Sequence, residues 1–263
     1  MASVSKIYVG VNQMFPGIQS LSNGPTIPTS GLIGWFDADD YTSGTTWVDK
    51  SVNGLDLTLS GTYSKDVTYG PTILLSNAYG NSLSTSLING DIGTEYTYIE
   101  ILRPTIVANF DSSFSLSSGG TGDDCNSLTG FQAEGAGLIA VGRNCTGGKQ
   151  YYITSKQYST TETLFVSRRF AYGGTPGSGL VFNVGTTSQA LTEYGSGAIT
   201  ARGGITSVEY ALGAAGKMAV GSTNGGSYKL PGYYGVSLWY DRQLTNQEVT
   251  DIYDYYKSTY SLL

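Results

Sequence analysis

Hydrolysis of a glycosidic bond needs two carboxylates flanking it, close together when configuration is retained. The acidic residues that come nearest to such a set are Asp37, Asp39 and Asp40, and the pair Glu95 and Glu100. An odd spacing of five puts Glu95 and Glu100 on opposite faces of any strand that carries them. Asp39-Asp40 reads as the start of a loop. The 263 residues include no His, which removes the commonest general base and the commonest zinc ligand. No Walker A segment, no Gly-x-Ser-x-Gly elbow and no Cys-x-x-Cys occurs. No catalytic residue is therefore assigned, no cofactor is expected, and the chain is read as a non-enzyme.

Binding chemistry is better represented. The loop from Thr121 to Asn126 offers Asp123, Asp124 and Asn126 as oxygen ligands for calcium. No EF-hand spacing or further acidic cluster supports a cage, so a solvated turn whose Asp and Asn side chains cap their own backbone is expected. Sugar recognition uses an aromatic platform beside amide or carboxylate groups, and Tyr151, Tyr152, Tyr233, Tyr234 and Trp239 are the candidates. Half-buried strand positions and subunit contacts are the competing reading of these tyrosines, and coverage by a second layer that of Trp239. Arg168-Arg169, an adjacent basic pair, is expected at a strand end in solvent. Cys125 and Cys145 have two readings, a cross-strand disulfide and two free thiols.

The elements that must position these residues are strands. Gly is 37 and Tyr 21 of the residues, and only 13% are charged, a composition of short strands joined by turns. The clearest stretch is GYYGVSLWYDRQLTNQEVTDIYDYYKSTY, residues 232–260. It predicts a strand with Val236, Leu238 and Tyr240 on one face and Ser237, Trp239 and Asp241 on the other. A helix follows, with Thr245 as N-cap, Glu248 completing a capping box, and Leu244 and Val249 as a hydrophobic staple. Val249, Ile252, Tyr253 and Tyr256 form its apolar face, which must lie against a sheet. Upstream, strands are expected at 32–37, at 45–49 and 56–59 around Asn53-Gly54, at 73–76, at 82–86 and at 95–103. Residues 180–184 precede a turn at Gly185, and 186–215 reads as a long excursion.

Two of these segments carry a resemblance. Tyr240, Asp241, Arg242, Leu244, Thr245, Glu248 and Val249 resemble the closing strand and helix of laminin-G-like, concanavalin-like jelly-roll domains. Trp35, Asp37, Ala38, Trp47, Asp49, Ser51, Gly54, Asp56 and Leu57 resemble that family's opening hairpin. The resemblance implies an all-β, antiparallel two-sheet jelly-roll sandwich with one short C-terminal helix. Its glucanase members carry Glu-x-Asp-x-Glu on one strand, which this chain lacks. The fold hosts lectins, glycosidases, adhesion modules and virion proteins alike.

Residues 1–29 read as an extended N-terminal arm and linker, and 30–263 as the jelly-roll domain. Ile7, Tyr8, Val9, Phe15 and Pro16 form a single short strand and an aromatic-Pro pair that resemble an N-terminal module of phage structural proteins. A lone strand needs a partner, so these five residues are the expected assembly anchor, with a strand on the domain's own edge as the alternative. IYVGVNQMF is broken by Gly10, Asn12 and Gln13 before an export signal forms, so a cytoplasmic product is expected. Net charge is −6, which argues against nucleic acid. No apolar run reaches the ~18 residues of a membrane helix. The function expected is that of a bacteriophage virion structural protein, a capsid decoration or fibre whose partners are other virion proteins and its own copies. The alternative is a lectin-like module for surface glycans.

Overall fold

The computed structural model describes residues 25–82, 95–106, 111–117, 126–132, 138–145, 148–157, 160–171, 180–193, 217–221 and 229–262. Fifteen strands lie among them: β1 (Leu32–Asp37), β2 (Thr46–Trp47), β3 (Leu57–Asp66), β4 (Thr72–Ser82), β5 (Glu95–Pro104), β6 (Asp111–Ser117), β7 (Asn126–Gln132), β8 (Leu138–Cys145), β9 (Gly148–Gln157), β10 (Leu164–Ala171), β11 (Leu180–Val184), β12 (Thr187–Ser188), β13 (Leu191–Glu193), β14 (Lys217–Val220) and β15 (Gly232–Tyr240). One helix among the described residues, α1 (Asn246–Tyr256), closes the chain. It is too short and too polar to cross a membrane.

Every strand pair is antiparallel. The order runs β12-β11-β10-β5-β15-β4-β14-β6-β7-β8-β9-β13, with β1 beside β15 and β3 joining β2 to β4. The layers of the sandwich are thus joined in one hydrogen-bonded path, and β4 is the corner. Its first residues pair with β15 and its last with β14. Segment 73–76 and Ser82, expected on two separate strands, lie on this one strand, and residues 83–86 fall outside the described residues. The ladder to β3 holds β4 together along its whole length, absorbing one register shift between Thr62 and Tyr63.

β15 sits at the centre. It pairs with β5 along one edge, while the other edge is shared by β4 and then β1. The handover falls at Gly235, where the register shifts and Ala38 N–H donates to the Gly235 carbonyl. A Cβ at Gly235 would run into the ring of Tyr260, so the close approach requires glycine. Alternation along β15 follows the sequence reading. Trp239 joins Phe36, Trp47, Tyr98 and Phe182 in the core between the layers. Val236, Leu238 and Tyr240 face outward onto Val249, Ile252, Tyr253 and Tyr256 of α1, together with Ile99, Ile101 and Phe165. The Thr245–Glu248 capping box is formed, and Leu244 and Val249 are both buried.

Near the start, Asp49 organises the hairpin. It accepts hydrogen bonds from the backbone of Trp35, Ser51 and Leu55 and from the Ser51 hydroxyl. Gly54 turns the chain at φ 65°. Ile27, read as linker, is buried in the helix-side core at 8% exposure.

Candidate functional site

The acidic and basic residues singled out in the sequence have structural posts. Glu100 and Arg168 form an ion pair at 2.8 Å between the layers, at 1% and 2% side-chain exposure. Ser113 Oγ donates to the same carboxylate at 2.7 Å, and Tyr98 shares a hydrogen bond with Ser237. Burial pushes the Glu100 carboxyl above its ordinary range and lowers Arg168 from its own, Arg168 and Ser113 pulling the carboxyl back only in part. The pair is sealed from solvent. Arg169 donates to the Leu244 carbonyl and to Asn183 Oδ1. The expectation of two solvent-facing arginines is therefore corrected. Both are held inside β10, one by a carboxylate of the neighbouring strand and one by the turn leading into α1. Asp37 binds Lys50 and receives the Tyr256 hydroxyl at 3.0 Å. Asp39 and Asp40 open the loop after β1.

Two of the glycan candidates are corrected as well. Trp239 and Tyr234 are each 1% exposed. β15 is covered on both faces, and the Tyr234 hydroxyl is spent on the Leu230 carbonyl at 2.9 Å. Neither offers a ring to a sugar. Tyr151 and Tyr152 belong to β9, with their side chains outside the described residues. Asp123, Asp124, Cys125, Ile7, Tyr8, Val9, Phe15 and Pro16 also lie outside them, as do the side chains of Asn126 and Cys145. Among the described residues no group of three or more acidic or sulfur side chains is placed to hold a metal.

Tyr233 fares differently. It is half-buried and stands directly opposite Arg103 across the β15–β5 ladder. Side chains opposed in this way share one face, here the outward one, just beyond the end of α1. Tyr69 packs on both. Its ring centroid lies 4.9 Å from that of Tyr233, at an interplanar angle of 76°. The Arg103 guanidinium carbon lies 3.8 Å from the Tyr69 centroid, within range of a cation–π contact.

The turn that presents Tyr69 is anchored at both ends. Asp66 Oδ1 accepts from Thr68 N–H at 2.7 Å. The Tyr260 hydroxyl donates to the Pro71 carbonyl at 2.9 Å, and burial raises the Tyr260 pKa well above the ordinary phenol value. Thr72 Oγ1 closes the turn onto the Asp66 carbonyl.

Tyr69 and Arg103 form one wall of a cleft of about 740 Å³. Its floor includes Phe165 and Tyr253, in edge-to-face contact at 5.4 Å. Glu162, on the approach to β10, and Gln189, after β12, line it as well. The 260–262 turn completes the rim. Arg103 and Glu162 are the charged residues of the described lining, and no ion pair joins them. An aromatic ring, a guanidinium, a carboxylate and an amide around an apolar floor are the groups that grip a polyhydroxylated ligand of a few rings. The sequence named none of these lining residues, only Tyr233, which packs on Tyr69. The signal for the rest was faint: Tyr69 sits in a Tyr-Gly-Pro turn, and Arg103 precedes the proline that ends β5.

No protein-family model matches the chain, and no curated protein does. Solved structures do match. The binding domain of botulinum neurotoxin DC, in complex with rat synaptotagmin II, aligns with a TM-score of 0.59 at 6% identity, over 86% of this chain and 51% of that one. Domain 4 of AbnA, a GH43 extracellular arabinanase from Geobacillus stearothermophilus, in complex with arabinotriose, gives 0.58 at 13%, over 86% and 99%. The fold is a jelly-roll β-sandwich. Trypanosoma rangeli sialidase, in complex with 2,3-difluorosialic acid, matches the same jelly roll at 0.56 and 14% identity, over 91% of this chain and 35% of that one. The chain spans about half the length of the toxin binding domains it matches. At such identities it is the fold that is shared.

Proposed function

We propose that this jelly roll is a non-enzymatic carbohydrate-binding module whose ligand sits in the Tyr69–Arg103 cleft. The observation that carries the reading is the cleft itself: a tyrosine steadied by Tyr233 and Arg103, in a lining that also holds hydrogen-bonding groups and apolar side chains. The fold supports it, since the arabinanase domain that shares it was solved with arabinotriose. The non-catalytic part of the reading rests on the lining. Glu162 is its one carboxylate among the described residues, where hydrolysis needs two. Display of the module on a virion is proposed on the sequence of the N-terminal arm alone.

A glycan array followed by calorimetry tests the proposal. The expected result is binding to at least one oligosaccharide class, weakened about tenfold or more by Tyr69→Ala and unchanged by Tyr255→Ala on the far side of α1. No hit at millimolar glycan, or a hit indifferent to Tyr69, overturns the reading. Release of sugar from the bound oligosaccharide would overturn the non-enzymatic part.

A further inference from the structure

The charged groups of the cleft carry the reading one step further. Arg103 lies on Tyr69, and no described side chain or carbonyl accepts a hydrogen bond from its guanidinium. Its shown neighbours are the Tyr69 ring and, across the ladder, Tyr233, and the lining's one described carboxylate, Glu162, is not paired to it. The other arginines whose side chains are described are engaged: Arg168 with Glu100, Arg169 with Leu244 and Asn183, and Arg242 with Glu248. Arg103 stands apart, with five N–H donors and no anion. The ring contact and the cross-strand packing beside Tyr233 hold the cation in place, so little ordering cost is left for a ligand that pairs with it.

We propose that the cleft selects sugars bearing a single carboxylate, with Arg103 taking the carboxylate and Glu162 and Gln189 taking hydroxyls. This deepens the carbohydrate reading and rests on it. A guanidinium matches a carboxylate with two parallel N–H···O bonds, a stronger pairing than any sugar hydroxyl provides. Glu162 accepts hydroxyl protons and repels a second carboxylate. The protein's net charge of −6 also works against polyanions, whose approach it opposes at long range. A mono-acidic terminal or internal residue is the chemistry that satisfies all three.

The test uses paired probes on the full chain: a glucuronate-terminated and a sialate-terminated oligosaccharide, each against its neutral counterpart lacking the charge. Calorimetry at about 0.1 M salt is expected to favour the acidic member of a pair about tenfold or more. Arg103→Gln should remove that preference while leaving weak binding of the neutral member, and Arg103→Lys should restore part of it. Circular dichroism and thermal melts establish that the variants fold. Equal affinity within the pairs, or a preference that survives Arg103→Gln, overturns the selection of acidic sugars and leaves the carbohydrate reading standing. Absence of binding to any of the probes, and to the wider array, overturns both.

Discussion

Glu248 does three things with two oxygens. It accepts from Thr245 N–H at 2.8 Å and from the Thr245 hydroxyl at 3.0 Å, and it binds the Arg242 guanidinium. The Arg242 hydrogen bonds and the helix-cap donors hold its carboxyl at about 2, below the ordinary 4.5. The unfolded chain therefore takes up the proton first as pH falls. The stabilisation is complete above pH 4.5 and is lost as pH drops toward 2. Glu248→Gln should lower stability at pH 7 by about 1 kcal/mol, a modest figure because the pair is partly solvated. Chemical denaturation of the two proteins from pH 7 to pH 2 checks it. The curves are expected to converge at the acid end, and a constant gap would place the effect in packing rather than charge. The buried Glu100–Arg168 pair works in the other direction. Burial dominates there, so the Glu100 carboxyl binds its proton more readily folded than unfolded, and its contribution weakens as pH rises through its raised pKa.

At the scale of elements, β15 shows what local sequence can and cannot reveal. Its two-residue alternation, the capping box and the staple involve neighbours at most a few positions apart, and each reads correctly from the chain. The need for glycine at 235 does not, because it comes from Tyr260, brought in from beyond the end of α1. Gly235→Ala should cost about 1–3 kcal/mol, with Tyr260 displaced and its bond to Pro71 broken. Urea denaturation of the variant measures the cost, and wild-type stability would show that the ring yields without loss. The cleft was illegible for the same reason. Tyr69, Arg103, Glu162 and Gln189 come from four separate segments, and it takes the pairing of β4 and β5 with β15, and of β10 with β5 and β11, to bring them together. Trp239 and Tyr234 misled because an aromatic on a strand looks alike to the sequence whether one sheet face or two are covered. The buried arginines misled because their partners, Glu100 and the Leu244 carbonyl, are 68 and 75 residues away.

At the scale of the whole molecule, residues 27–30 are tied to the domain that follows them. Ile27 packs on the helix-side core, and the Thr29 and Ser30 carbonyls accept from Leu32 N–H and Arg242 Nε. Removing residues 2–24 should leave the melting temperature within about 2 °C of the full chain. Removing 2–29 should lower it further, by about 2–8 °C, for the loss of ~1–2 kcal/mol of Ile27 burial. Scanning calorimetry of the two truncations decides, and equal melting temperatures would return Ile27 to the linker. The shorter cut is also the one to use in asking whether the arm joins a particle, because it leaves the sandwich whole.

The link between β1 and α1 runs through one phenol. Trp35 Nε1–H donates to the Tyr256 oxygen at 2.9 Å, and that hydroxyl donates in turn to Asp37. Of the chain's three tryptophans, Trp47 and Trp239 are sealed in the core, while Trp35 is partly open to solvent, with the Lys50 ammonium 4.6 Å from its ring centroid. The molecule thus carries its own optical gauge. A small neutral quencher reaches a single indole, and that indole's emission reports whether the helix is seated without any dye being attached.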